Sequence, residues 1–216
     1  MQQESPYRNF AFESGVVEKF SHYAALLREA NAKVNLLSRR DMDGVEYRHI
    51  AFCAALGEFL KPAPGAKIAD VGTGGGLPGI VAAIIYPQAE IFMFDGVGKK
   101  IKMVRHFIDE LDLPNARAFN ARVEEFNCGF DYATGRSVCA LPMLFGFVKK
   151  RLKSGRAGNL QNGVVYFKGG EIEKELADKK IFPDAAFDLQ KFFGNPLYEG
   201  KTIAAFSTAK VLRACR

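Results

Sequence analysis

Histidine is scarce in this sequence. There are only three histidines (His22, His49 and His106), and none stands at metal-ligand spacing, so no metal is expected. The four cysteines (Cys53, Cys128, Cys139 and Cys215) make no C-x-x-C pair and read as reduced thiols of a cytosolic protein. No apolar run approaches the length of a membrane span, so no membrane partner is expected. The first residues, M-Q-Q-E-S-P, have neither a basic stretch nor an apolar core. A signal peptide is therefore not expected, and a cytoplasmic location is. No internal repeat and no His–Asp pair stands out.

What remains is ordinary for a soluble globular chain. Hydrophobic residues make up 48% and charged residues 25% of 216 residues, enough for one domain with a large core and a small appendage. The net charge of +6 suits a polyanionic partner, although charge alone is a weak signal.

The most informative stretch is Lys67–Gly79, K-I-A-D-V-G-T-G-G-G-L-P-G. Ile68, Ala69 and Val71 form a short apolar run of the kind a buried parallel strand uses. Four glycines follow in five positions, and Pro78 then opens the apolar run Ile80–Ile85. Proline is at home in the first turn of a helix, so the stretch reads as strand, glycine loop, helix. Glycines let a ligand approach the backbone closely, and a helix start offers free N–H donors. Two cofactor classes use such a loop. Gly74, Gly76 and Gly79 match the dinucleotide pattern G-x-G-x-x-G, which keeps a nicotinamide-dependent oxidoreductase in play. Asp70, Gly72, Gly74 and Gly76 match D-x-G-x-G-x-G, the S-adenosylmethionine loop of class I methyltransferases. The second register places the acid at the strand tip and is favoured.

Around this loop the pattern alternates strand and helix. A helix is expected over Val16–Ala30, capped by Ser14, and another over Val45–Leu60. Pro62, Pro64 and Gly65 mark a linker. The chain divides by this reading into an N-terminal helical extension, residues 1–61, and a methyltransferase domain, residues 62–216. Strands are expected at Ala89–Asp95, Ala116–Asn120, Phe130–Gly135 and Gly163–Lys168, with helices at Lys99–Leu111, Pro142–Leu152 and Ile172–Lys179. Closing strands are expected near Ala185–Phe193 and Thr202–Leu212, and a flexible loop at Ser154–Gly163. The implied fold is an open, mostly parallel, seven-stranded α/β sheet with helices on both faces. Asp95, one β-α-β unit after the loop, stands where a ribose-binding carboxylate belongs.

The stretch Asp70–Ile80 strongly resembles the bacterial small-subunit (16S) ribosomal RNA guanine-N7 methyltransferases, the glucose-inhibited division protein B family. N-L-L-S at Asn35–Ser38, R-H-I at Arg48–Ile50, D-G-V-G-K-K at Asp95–Lys100, R-V-E-E-F at Arg122–Phe126, G-R-S at Gly135–Ser137 and F-K-G at Phe167–Gly169 agree in order and spacing. The chain departs from the family in H-I-A-F-C at His49–Cys53, where a carboxylate is lost, and at Gly96, where serine is usual. The resemblance implies S-adenosylmethionine (SAM) as cofactor, with contacts at Gly72, Leu77, Val123 and Glu124 and, on the catalytic side, at Arg136. Asp70 is read as ordering the loop or the methionine end. It also implies 16S rRNA or the small ribosomal subunit as partner; a monomer is expected. Methylation of guanine N7 needs no general base, because N7 carries a free lone pair. Positioning is then the main task. Arg39, Arg40, Arg48, Lys99, Lys100, Lys149, Lys150 and Arg151 are the candidate RNA contacts. The run Lys149–Arg156 also reads as a solvated helix end favoured by the dipole. A non-catalytic RNA-binding protein with a relic pocket is the remaining alternative.

Overall fold

The structure, a computed structural model, describes residues 5–170, 175–176 and 180–216, and for Arg39 the backbone alone. The first long helix, α1, spans Ser14–Lys33. It buries Phe20, Tyr23, Ala24 and Leu27, a stripe at helical spacing. Ser14 is not its cap: it is the first helical residue, preceded by Glu13, and no side chain caps this end. The expected single helix near Val45–Leu60 is broken up. A π-helical turn, Glu46–Ala51, runs into the short helices α2 (Phe52–Ala54) and α3 (Leu56–Phe59). Such π turns often mark functional sites.

The nucleotide-type unit then alternates as the sequence pattern requires. Its elements are β1 (Lys67–Val71), α4 (Gly79–Ile85), β2 (Glu90–Phe94), α5 (Gly98–Glu110), β3 (Ala116–Phe119), β4 (Tyr132–Arg136), α6 (Leu141–Val148) and β5 (Gly163–Gly169). The expected closing strands are shorter than the alternation suggested. β6 (Ala185–Asp188) turns into helix α7 (Leu189–Phe193), where the Asp188 carboxylate accepts the Lys191 N–H at 3.0 Å. β7 (Lys201–Ser207) likewise runs into α8 (Thr208–Ala214). The helix expected at Ile172–Lys179 lies outside the described residues except for Glu175 and Leu176, which are helical.

The seven strands form one sheet in the order β3-β2-β1-β4-β5-β7-β6. β7 is antiparallel to both neighbours, and the pairings among the first five strands are parallel. This departs from the six-stranded 3-2-1-4-5-6 order of dinucleotide-binding sheets. One face is covered by α1, α4 and α5 in a core that also holds Tyr23, Leu36, Ile50 and Phe52. The N-terminal residues thus share one core with the sheet. α6 and α8 cover the other face, over Phe92, Phe94, Phe130 and Phe206. The loop read as flexible, Ser154–Gly163, is pinned by asparagines. Asn159 bonds the backbone of Phe59 and Lys61, and buried Asn162 accepts the Ala157 N–H at 2.7 Å. Side-chain amides here satisfy backbone groups that lack a ladder.

The chain runs from β1 outward to β3 and returns to pair β4 on the other side of β1. The direction of winding reverses there, so a crevice opens beyond the carboxyl ends of β1 and β4.

Candidate functional site

A cavity of about 500 Å³ occupies that crevice, a size suited to a cofactor. Its wall includes Leu36, Leu37, Gly72, Gly74, Leu77, Asp95, Lys100, Val123, Glu124 and Arg136. Of the expected cofactor residues, Gly72, Gly74, Leu77, Asp95, Val123, Glu124 and Arg136 therefore meet in one place. Asp70 and Gly76 are not in the wall; they shape the loop from behind.

The loop needs its glycines for two separate reasons. Gly72, Gly74 and Gly76 all hold positive φ (+68°, +58° and +95°), a conformation that disfavours side chains. At Gly76 a Cβ would also stand 2.6 Å from Ile80 Cγ1, and at Gly72 one would stand 2.7 Å from Val138 Cγ1. At Gly74 the nearest atom to such a Cβ is 3.9 Å away, so the loop is open on that side. α1 clamps the loop from outside: the buried Tyr23 hydroxyl donates to the Gly75 carbonyl at 2.7 Å. Asn31, also buried, accepts the N–H groups of Leu36 and Leu37 at 2.8 and 2.9 Å and sets those leucines at the cavity wall.

The two acids of the motif divide the work. Asp70 is fully buried at the tip of β1. One of its oxygens, Oδ2, accepts the Thr73 hydroxyl at 2.5 Å and the Gly79 N–H at 2.8 Å, tying the loop to the start of α4. Burial pushes its carboxyl up to about 6, against the pull of these two bonds and of Arg136. Its other oxygen has no partner among the described residues. Asp95 lies in the cavity and accepts the N–H groups of Gly74 (3.0 Å) and Val97 (2.8 Å), one on each oxygen. A carboxylate has about four acceptor positions, so two remain for hydroxyl donors. An open glycine backbone beside an anchored carboxylate fits the adenosyl moiety of SAM, whose ribose presents hydroxyls.

Arg136 closes the cavity from the end of β4. Its guanidinium lies 5.8 Å from the centre of the Phe52 ring, and Nη1 donates to His49 Nδ1 at 2.7 Å. Arginine can only donate, so His49 accepts at Nδ1 and keeps its proton on Nε2. That nitrogen faces Asp41 Oδ2 at 3.5 Å. Burial and the charge of Arg136 hold the imidazole neutral by lowering its pKa to about 4, with Asp41 opposing. The sequence showed no His–Asp pair. The structure brings His49 and Asp41, eight residues apart, within 3.5 Å through the irregular backbone between Asp41 and Glu46, but His49 Nε2 makes no hydrogen bond among the described residues.

The remaining candidates scatter. Lys100 is in the cavity wall, whereas Lys99 is exposed at the start of α5. Arg40 and Arg48 line a second cavity. Arg39 opens a short 3-10 turn, and its side chain lies outside the described residues. Lys149 and Lys150 follow the last turn of α6. Arg151 is engaged inside the fold, donating from Nε and Nη2 to the Glu124 carbonyl at 3.2 and 2.7 Å. Lys201, which the sequence reading passed over, lies 5.5 Å from the Phe52 ring centre, on the same ring as Arg136. Its only sequence signal was position, at the start of a closing strand.

Comparison with known proteins agrees with this geometry. A chain from Flavobacterium johnsoniae named ribosomal RNA small subunit methyltransferase G is 35% identical over 188 residues, covering 87% of this chain and 88% of that protein. One of the same name from Christiangramia forsetii is 35% identical over 187 residues, covering 87% and 88%. Among solved structures, a SAM-dependent methyltransferase from Aquifex aeolicus has the same fold. It superposes with a TM-score of 0.54 at 13% identity, over 74% of this chain and 92% of that one. The sequence model of the GidB family, described as rRNA small subunit methyltransferase G, matches residues 16–188, and the chain belongs to that family.

Proposed function

We propose that this chain transfers the methyl group of SAM to N7 of a guanine in small-subunit (16S) ribosomal RNA, acting as a monomer in the cytoplasm. The chain is a SAM-dependent methyltransferase of the rRNA small subunit methyltransferase G family. The single observation that carries the reading is the cavity itself, where the open side of the glycine loop, anchored Asp95 and Arg136 face one space.

Asp95 would hold the ribose hydroxyls, Gly72 and Leu77 the loop side, and Val123 and Glu124 the adenine. SAM supplies an electrophilic sulfonium methyl group. The protein's part is orientation and exclusion of water, which is worth several kcal/mol when reactants are held in line. No residue is required to remove a proton from guanine N7, and His49 is unsuited to that task because Arg136 occupies its Nδ1. Arg136 is instead held rigidly at the cavity wall, where it steers the incoming base. We further propose that residues 1–61 are an N-terminal helical extension, which contributes Leu36 and Leu37 to the cavity wall, while 62–216 are the methyltransferase domain.

The dinucleotide alternative is disfavoured by the antiparallel β7 between β5 and β6 and by the family match. The deciding experiment is nucleoside mass spectrometry of small-subunit rRNA from cells with and without the gene. Loss of one 7-methylguanosine, restored by the wild-type gene, is the expected result. An unchanged methylation pattern overturns the reading.

A further inference from the structure

A second cavity, of about 620 Å³, is lined by Arg40, Tyr47, Arg48, Asn195 and Tyr198. Arg48 lies in its wall, Arg136 lies in the wall of the cofactor cavity, and Lys201 stands beside both residues. Arg48 precedes His49, the hydrogen-bond partner of Arg136. Lys201 begins β7 opposite Gly169, at the carboxyl end of β5, so it stands at the cofactor end of the sheet. Its ammonium lies 5.5 Å from the Phe52 ring centre and 5.3 Å from that of Tyr198. Tyr198 is itself fixed: it stacks on Phe193 at 3.9 Å, and its hydroxyl donates to the Tyr47 carbonyl at 2.6 Å.

Among the described residues, cations outnumber acids here, although Asp43 also lines the second cavity. Arg48, Arg136 and Lys201 lie near enough to affect one another, and Asp41 is the acid facing them, 4.0 Å from Arg48 and 3.5 Å from His49. Lys201 makes no ion pair among the described residues. Burial lowers its pKa, and Arg48 and Arg136 lower it further, against Asp41. A partly buried ammonium that feels two guanidinium charges and has no ion pair among the described residues is costly unless an anion meets it. Aromatic faces offset only part of that cost.

We propose that the second cavity, with the Lys201 ammonium over Tyr198 of its wall, docks the RNA strand adjoining the target guanine, Arg48 and Lys201 holding its phosphates. The proposal rests on the RNA methyltransferase reading above and adds the place and the contacts. A strand laid there passes from Arg48 and Lys201 to Arg136, and so delivers the next base to the cofactor cavity. Recognition is of the phosphodiester backbone; it positions the strand without reading its sequence.

The test measures equilibrium binding of protein-free small-subunit rRNA over a salt series. Each lost phosphate contact flattens the slope of log K against log salt by about 0.7–0.9. Arg48→Gln and Lys201→Gln are expected to show that change singly, and the double variant about twice it. SAM affinity, read by calorimetry, should stay at the wild-type value. Lys201→Arg should keep the slope because it keeps the charge. Lys102→Gln, on the exposed side of α5, should keep it too. A wild-type slope in the double variant overturns the proposal, as does equal flattening by Lys102→Gln. Binding is read without methyl transfer. An inactive wild-type enzyme would therefore overturn the reading above while the slopes still decide this docking surface.

Discussion

Two basic regions of this molecule look alike in charge and differ in what the charge is used for. Lys149–Arg156 is the densest basic run in the sequence, yet two of its members are engaged in holding the fold. Arg151 bonds the Glu124 carbonyl, and Lys153 pairs with Asp131 at 3.2 Å where β4 begins. Arg48, Arg136 and Lys201 are far apart in sequence. The π-helical turn, β4 and β7 bring them to one end of the sheet, with Asp41 as their shared acid. Charge density along a chain therefore says little about where charge is available. Topology decides that, by choosing which cations meet a carboxylate or carbonyl and which meet each other.

The largest effect expected comes from the anchor behind the site. Asp70→Ala leaves the Gly79 N–H and the Thr73 hydroxyl buried without their acceptor, about 1–3 kcal/mol each. Chemical denaturation should show a loss of about 2–6 kcal/mol. Asp70→Asn retains an acceptor and should cost much less. The pH dependence sharpens this. The folded carboxyl titrates near 6, above its unfolded value of 3.8, so the folded state binds the extra proton between those values. The Asp70 contribution therefore favours folding at low pH and is lost as pH rises from about 4 to about 6. Subtracting the Asp70→Asn stability profile from the wild-type profile should isolate that slope. A flat difference would mean that Asp70 is not desolvated as described.

Next in size is cofactor linkage. SAM at 100 times its Kd should stabilise the fold by about 2.7 kcal/mol. For a chain of this length the thermal midpoint should rise by roughly 5–10 °C. A rise with NAD and none with SAM would break the cofactor assignment.

Asp95→Ala should lower SAM affinity at least about tenfold in calorimetry, since charge-assisted hydrogen bonds contribute about 1.5–3 kcal/mol each. The far-UV spectrum should be unchanged. Wild-type affinity would reduce Asp95 to a turn residue that serves only Gly74 and Val97.

The smallest effect tests the contrast between the two basic regions. Lys149→Gln with Lys150→Gln should flatten the salt slope of RNA binding by less than half of what Arg48→Gln with Lys201→Gln does. Equal flattening would show that the helix-end run shares the docking load.

The sheet and the cofactor loop were legible because their signals are local. Asp70, four glycines and Pro78 specify a turn whose backbone has few alternatives, and apolar runs of strand length flank it. Asp95 was legible from its distance to that loop. The other half of the site was not. His49 meets Asp41 through an irregular segment with no period to read, and Tyr23 reaches Gly75 across 52 residues. Lys201 gains its meaning only from β7, which inserts antiparallel beside β5 and so begins at the cofactor end. The boundaries of β6 and β7 were missed because alternation continued into helices that a cap, Asp188, or a change of period begins.

The most direct test of the whole account uses purified components. The wild-type chain is incubated with SAM carrying an isotopically labelled methyl group and with protein-free small-subunit rRNA that lacks the modification. The rRNA is then digested and its nucleosides are resolved by mass spectrometry. The account predicts label in 7-methylguanosine at a single site, strongly reduced by Asp95→Ala. Label in any other nucleoside, or none with an RNA that the protein binds, would contradict it.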